Sequence, residues 1–214
     1  MTIARVYLAE EIGTRLRDQI LTGKLEPGQR LTEQGVAREM GTSPGPVREA
    51  FSALSREGLL ISLPHRGTFV SEVSEHEART AYDVRALLEP YVMRQAADRV
   101  TPEVVEELQG LIGQMREARE NKDFPATMVA DLAFHGRIYE LGGGPLLAKI
   151  WSIIEVTILK FAVVAAPQYY RDTGPTIADH DHLLHLLTTK DVDALAAETS
   201  RHLNDLWNRI YSAR

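Results

Sequence analysis

Residues 32–70 carry two short apolar repeats at helical spacing with a turn between them, and that arrangement leaves the chain few folds to choose from. Val36, Ala37 and Met40 precede Gly41, while Val47, Ala50, Phe51 and Leu54 follow it at intervals of three and four. Two short amphipathic helices therefore share one core across a tight turn. Ser43 is a good N-cap, and Pro44 is tolerated at the first helical position because its missing N–H has no intrahelical partner there. Gly58 ends the second helix. Leu59-Leu60-Ile61-Ser62-Leu63 and Thr68-Phe69-Val70 then read as strands around the tip Pro64-His65-Arg66-Gly67. Helix, turn, helix and hairpin make a winged helix-turn-helix, a unit that lays its second helix in a DNA major groove.

On that second helix Gly45, Ser52 and Arg56 point outward and Arg48 lies on the flank. Small residues at its start let the backbone approach DNA, and Arg48 can reach a phosphate or pair bidentately with a guanine edge. His65, Arg66 and Gly67 at the wing tip reach an adjacent groove or the backbone. Charge gives this reading no help. Residues 1–72 carry nine Lys/Arg against nine Asp/Glu, and residues 73–214 fifteen against twenty-one, whereas nucleic-acid-binding domains are usually basic. A few arginines, doubled in a dimer, have to carry the binding; the competing reading makes Arg48 and Arg66 solvated surface charges.

Around this unit the pattern is helical. Leu8, Ile12, Leu16 and Ile20 mark a helix over 5–22, closed by Gly23, and Pro27-Gly28 turns the chain toward Leu31. A short link at 71–74 divides the chain into a first domain, 1–72, and a second, 73–214. Ser74-x-x-Glu77 is a capping box for a helix with Ala81, Val84, Leu87, Leu88, Tyr91 and Val92 inward and a kink at Pro90. Thr101-Pro102 starts a helix to Asn121. Asp123 and Pro125 start another, ending at Gly142-Gly143-Gly144-Pro145, and Leu146–Ala165 is an apolar central helix. Pro167–Pro175 reads as a loop, Thr176-x-x-Asp179 as the cap of a helix to Leu187, and Asp191–Tyr211 as the last helix. Nothing after residue 72 alternates at period two, so the second domain is an all-α bundle and the chain is mostly α. Absence of cysteine excludes disulfides, thiolate catalysis and Cys-type zinc sites. With no apolar run near the ~18–20 residues of a membrane span and no signal-peptide pattern, the expectation is a cytoplasmic protein.

The second domain also carries a set of metal-ligand residue types. Asp131 and His135 stand at i and i+4 on one helix face, where both can hold a single ion. On one continuous helix His180 and His202 would be ~33 Å apart. The break at Thr188-Thr189-Lys190-Asp191 changes this, because each lies eleven residues from Asp191, and an antiparallel hairpin brings them level. Three helices could thus converge one Asp and three His on one point. His182 and His185 compete, standing roughly 200° and 140° around the helix from His180. Taken singly, each residue is also an ordinary surface or core feature. Such a site suits Zn²⁺, Ni²⁺ or Mn²⁺ and leaves room for an anionic ligand. Arg85 is a second clamp for that anion, or else half of a surface ion pair with Glu89 at i+4.

Gly23-x-Leu25-x-Pro27-Gly28-x-x-Leu31, Ser43-Pro44-Gly45-Pro46-Val47-Arg48-Glu49-Ala50, Glu57-Gly58-Leu59 and Gly67-Thr68-Phe69-Val70 closely resemble the GntR family of bacterial transcription regulators. Arg85-x-x-x-Glu89, Asp131-x-x-Phe134-His135, His180 and His202-Leu203 resemble the FadR-type ligand-sensing domain called FCD. The resemblance implies a homodimer on a palindromic double-stranded operator, with effector binding in the helical domain altering DNA affinity. By position it implies that Arg48 is the main DNA-contacting arginine, with Ser43 and Gly45 at the helix start and His65, Arg66 and Gly67 at the wing. It makes Asp131, His135, His180 and His202 the ligands of a divalent metal, and Arg85 a residue of the effector pocket. Pro44 and Gly45 depart from the Arg and Thr frequent in the family, which alters base contacts at that end, and Gly144 stands where Asn is common.

The expectation is a ligand-responsive repressor, not an enzyme, whose effector is a small organic acid. Two readings compete with it. A three-His site can activate water for hydrolysis, although no acidic general base stands at a motif spacing. Alternatively the ion itself is the signal.

Overall fold

The structure, a computed structural model, describes residues 2–169 and 174–212 and divides into two compact units, Met1–Val73 and Ser74–Arg214. In the first, α1 (Thr2–Leu21) packs on α3 (Pro44–Arg56), with α2 (Glu33–Glu39) beside α3. Ile12, Leu16 and Ile20 of α1 meet Val47, Ala50, Phe51 and Leu54 of α3, all buried, as the spacings require. Arg17 holds Glu57 at the end of α3 through two donors, Nε and Nη2, at 3.0 and 2.7 Å. Thr32 caps α2 by accepting from the Gly35 N–H. At its other end Gly41, at φ +64, donates to Arg38 and Thr42 donates to Ala37. That pair of bonds is a Schellman ending, and it sets the turn between α2 and α3.

The wing consists of β2 (Leu60–Leu63) and β3 (Gly67–Val70), paired antiparallel with Ser62 opposite Thr68. A third strand, β1 (Arg30–Leu31), pairs with the other side of β3, giving the sheet order β1-β3-β2. Its two residues are too few to alternate visibly in sequence, where they read only as the exit of a turn.

The second unit is helical throughout: α4 (Glu75–Ala97), α5 (Pro102–Glu120), α6 (Phe124–Tyr169), α7 (Gly174–Thr189) and α8 (Val192–Ser212). The Ser74/Glu77 capping box opens α4, which runs through Pro90 without a break. The face it buries matches the expected apolar one only in part, with Ala81 and Val92 buried and Val84 and Leu88 half-buried. Ala78, Ala81, Tyr82, Arg85, Glu89, Val92, Met93, Ala96 and Ala97 are inside, whereas Leu87 and Tyr91 are 79% and 56% exposed. Small residues and a buried ion pair occupy the packed stripe, so hydrophobicity alone set the helix rotation wrongly.

Within α6 only Gly144 leaves helical geometry, at φ +62 and ψ −173. The glycine-rich expected terminus is therefore a one-residue break between two helical halves, in a backbone region that is essentially glycine's own. Gly142 answers a different need: a Cβ there would sit 2.2 Å from the Val92 carbonyl oxygen, so α4 and α6 approach closely only without one. The loop expected over Pro167–Pro175 is helical to Tyr169 and again from Gly174, and residues 170–173 lie outside the described residues. Thr176 and Asp179 consequently fall inside α7 and do not cap it. Lys190 at φ +58 turns the chain, and Asp191 caps α8 by accepting from Ala194. Among the described residues, no helix is long and apolar enough to cross a membrane.

Candidate metal centre and nucleic-acid interface

In the second unit, His135 comes from the first half of α6, His180 from α7 and His202 from α8, all at 0% exposure, with Asp131 at 2% one turn before His135. One ligand atom from each lies within 4.8 Å of the others. His180 Nε2 is 3.1 Å from His135 Nε2 and 3.3 Å from Asp131 Oδ1. The hairpin of α7 and α8 sets the His180 and His202 rings 4.9 Å apart. His182 and His185 are exposed, which decides the competition on α7 for His180.

Proton placement in these rings follows from their outer contacts. His180 Nδ1 donates to the Thr176 carbonyl at 2.7 Å, and His202 Nδ1 to Asp179 Oδ2 at 3.3 Å. His135 Nδ1 lies 2.5 Å from Glu89 Oε1; the angle is poor for a hydrogen bond, but a carboxylate neighbour leaves that nitrogen only the proton-bearing role. Carbonyl and carboxylate oxygens accept and do not donate, so each ring carries its proton on Nδ1 and turns a lone pair on Nε2 inward. Burial also pushes all three imidazoles below their ordinary range, which keeps them neutral. Burial would raise the Asp131 carboxyl, but its surroundings, in which the Arg85 guanidinium is the permanent positive charge, outweigh burial and hold it below its ordinary range.

Three neutral imidazoles and a carboxylate thus face each other with no proton between them. Asp131 Oδ2 and His202 Nε2 have no hydrogen-bond partner although both are buried, which is costly unless something else satisfies them. Two nitrogens each ~2.0–2.1 Å from a zinc-type ion lie about 3 Å apart when adjacent in its shell. The donor set, its protonation and its spacing fit a divalent cation. Ligating histidines usually give their other N–H to a carboxylate or carbonyl, which fixes tautomer and ring orientation; the Thr176 carbonyl and the Asp179 carboxylate accept in this way, and the Glu89 carboxylate stands beside His135 Nδ1. Arg201 in turn grips Asp179 at 2.6 Å and is itself held by Glu198 and Asp205. Sequence alone assigns none of these residues a role beside the histidines: Glu89 reads there as a partner of Arg85, and Thr176 and Asp179 as a helix cap. The signal available was indirect: each inward histidine needs an acceptor for its second nitrogen, one turn away or on a neighbouring helix.

Arg85 is not at the surface. It and Glu89 are both 0% exposed, joined from Nε to Oε2 at 2.9 Å, so the surface-pair reading fails. Burial would raise the Glu89 carboxyl, but the adjacent guanidinium reverses the effect and keeps it well below the usual carboxylate range. Arg85 lies over the Trp151 ring at 5.3 Å, and its Nη1 has no partner. A fully buried cationic donor left unpaired beside a metal-type cluster suits an anion.

The other candidate face lies in the first unit. Ser43 occupies the N-cap of α3, but its hydroxyl makes no capping bond and is exposed. Gly45 is half-buried in the first turn of the helix. Arg48, 71% exposed, is neither free nor simply solvated: Nε and Nη2 hold the Glu33 carboxylate of α2 at 3.0 and 2.7 Å. Exposed pairs of this kind contribute little, so a phosphate or base edge can replace Glu33, which meanwhile fixes the direction of the guanidinium. His65 and Arg66 are exposed at the wing tip, with His65 at φ +61 and Gly67 at φ +107.

Known proteins place both units in one lineage. The chain is 26% identical over 212 residues to the gluconate operon transcriptional repressor of Bacillus subtilis, covering 97% of this chain and 87% of that one. It is 27% identical over 213 residues to the repressor RspR of Escherichia coli, covering 96% and 90%. Among solved structures, McbR of Escherichia coli superposes with a TM-score of 0.80 at 24% identity, over 96% of this chain and 97% of that one, a likeness of fold. Residues 8–70 match the gntR family of bacterial regulatory proteins and residues 80–205 match the FCD domain. From its winged helix-turn-helix to its helical bundle, the chain belongs to the GntR family of regulators that carry an FCD domain.

Proposed function

We propose that this protein is a homodimeric, cytoplasmic transcription repressor whose helical unit binds a divalent metal and a small organic acid that together set its affinity for operator DNA. The observation that carries the metal reading is the common inward aim of three Nε2 lone pairs onto Asp131, two of them fixed by an outer acceptor and the third, on His135, with its other nitrogen against the Glu89 carboxylate. Asp131, His135, His180 and His202 would hold the ion, which when bound would supply a fixed positive charge with positions open to an anion. Zn²⁺, Ni²⁺ and Mn²⁺ all suit this donor set. Arg85 Nη1 then meets the effector carboxylate, and Glu89 orients both Arg85 and His135. Because Arg85 is already buried and pre-aimed, ordering it adds little to the cost of binding. On the DNA side Arg48 leads, with Ser43 and Gly45 at the start of α3 and His65, Arg66 and Gly67 on the wing.

Relatives named as repressors support the sign of regulation. We read the cluster as a binding site and not a catalytic one, since every carboxylate described around it is already engaged in orienting a histidine or facing the ion. Regulation requires that the effector bind the DNA-competent and DNA-weak forms unequally. Coupling between sites in regulators of this kind changes affinity by roughly 5- to 150-fold. The test begins with a high-affinity duplex selected from a random pool. Its dissociation constant is then read by fluorescence anisotropy for metal-loaded protein, chelator-stripped protein, and metal-loaded protein with a panel of small carboxylates. At least one carboxylate should shift the constant by about 5-fold or more. A constant indifferent to every carboxylate and to chelation would remove the regulatory reading.

A further inference from the structure

Of the buried polar atoms without a hydrogen-bond partner among the described residues, the proposed metal accounts for Asp131 Oδ2 and His202 Nε2, His135 Nδ1 faces the Glu89 carboxylate, and Arg85 Nη1 is assigned to a carboxylate. One is left over: the hydroxyl of Tyr139, fully buried and without a partner. Asp131, His135 and Tyr139 follow one another at i, i+4 and i+8, so they line one stripe of α6. Helical side chains lean toward the N-terminus, which carries the Tyr139 ring back over the turn that holds His135. Its ring stacks on Trp151 at 4.8 Å, the same indole that carries Arg85 at 5.3 Å. Burial, together with the nearby Glu89 charge, pushes the phenol further above its ordinary range, so it is a neutral donor at any physiological pH.

A bare carboxylate is fully served by a cation and an arginine. A phenol left unpaired on the indole it shares with Arg85, near enough to feel the charges of Glu89 and Arg85, can serve a further oxygen, and a tyrosine hydroxyl can both donate to it and accept from it. Resting on the effector reading above, we propose that Tyr139 is a specificity residue that hydrogen-bonds a second oxygen of the effector, making the effector a hydroxy-carboxylate and not a simple aliphatic acid. Trp151 serves as the flat apolar wall against which that ligand lies. Gly136 lets it do so, because a Cβ there would stand 2.7 Å from the indole Nε1.

The test uses full-length, metal-loaded protein and isothermal titration with straight-chain carboxylates from acetate upward, each paired with its 2-hydroxy counterpart. Wild-type protein should prefer the hydroxy acid of at least one pair by about 10- to 100-fold, the consequence of leaving a buried donor unmatched by the plain acid. Tyr139→Phe should lose that preference while keeping its metal content and its affinity for the plain acid. That double result separates recognition from a structural role for Tyr139 and from simple chelation of hydroxy acids by the metal. Equal binding of both acids by wild type, or a preference undiminished in Tyr139→Phe, overturns the inference and leaves the effector reading intact. No binding of any carboxylate by metal-loaded wild type, with Arg85→Met equally inert, overturns the effector reading and this inference with it.

Discussion

Replacing His180 with alanine should yield a folded protein that leaves purification with no stoichiometric metal. The imidazole is the link between both sides of the cluster, 3.1 Å from His135 Nε2 and 3.3 Å from Asp131 Oδ1. Disturbing a residue that merely orients a ligand costs metal affinity about 10- to 100-fold, so deleting a ligand should cost more than that. The helices need not fall apart. Leu183, Leu184, Leu186 and Leu187 continue to bury the face of α7 that carries His180, and the change removes one of several inward lone pairs that repel each other without an ion. Elemental analysis beside circular dichroism checks it. An unaltered metal content with native helicity would mean the ion, if any, is held elsewhere. His135→Ala should behave alike, while His182→Ala, on the exposed side of the same helix, should change nothing.

The second large effect is on DNA. Arg48→Ala should abolish operator retention in a gel shift at protein concentrations that saturate the wild type. A base-reading arginine is worth about 10- to 100-fold in affinity, and a dimer on a palindrome loses it twice. The structure sharpens what else should follow. Glu33 holds Arg48 in a two-point grip, so Arg48→Lys, which cannot reproduce that fork, should also bind poorly although it keeps the charge. Normal binding by Arg48→Ala would remove α3 from its role as the reading helix. Binding by Arg48→Lys at wild-type strength would reduce Arg48 to a phosphate charge and make the Glu33 pairing irrelevant to recognition.

The parts legible in the sequence were those written in local chemistry. Gly41, Ser43, Pro44 and Gly58 punctuate the chain where the backbone turns, so the helix-turn-helix and its wing could be drawn before any coordinates. Most of the inward set is legible too, because helix periodicity puts Asp131 with His135 and the break at 188–191 sets His180 level with His202, but the choice of His180 over His182 and His185 comes from their exposure in the structure. The rest depended on partners in other helices. No periodicity shows that Glu89, on α4, lies beside His135 on α6, or that Asp179 on α7 accepts a hydrogen bond from His202 on α8. The rotation of α4 was misread for the same reason. Leu87 and Tyr91 look like core and Arg85 and Glu89 like surface, until the buried cluster supplies a use for two opposite charges on the packed face. Arg48 reads from sequence as lying on the flank of α3 and is exposed in the structure, but its pairing with Glu33 spans fifteen positions and two helices, beyond any local pattern.

Metal content of the purified wild-type chain tests the central claim most directly. Protein expressed in medium containing zinc, nickel and manganese, freed of any affinity tag and desalted, should carry about one divalent ion per chain by elemental mass spectrometry. After chelation and desalting it should take up the same amount again, with a higher melting temperature, because an ion that binds only the folded state stabilises it. Protein that emerges without an ion, takes up none of the three on reconstitution and melts at the same temperature with or without them would contradict the metal centre and the ligand-responsive reading built on it.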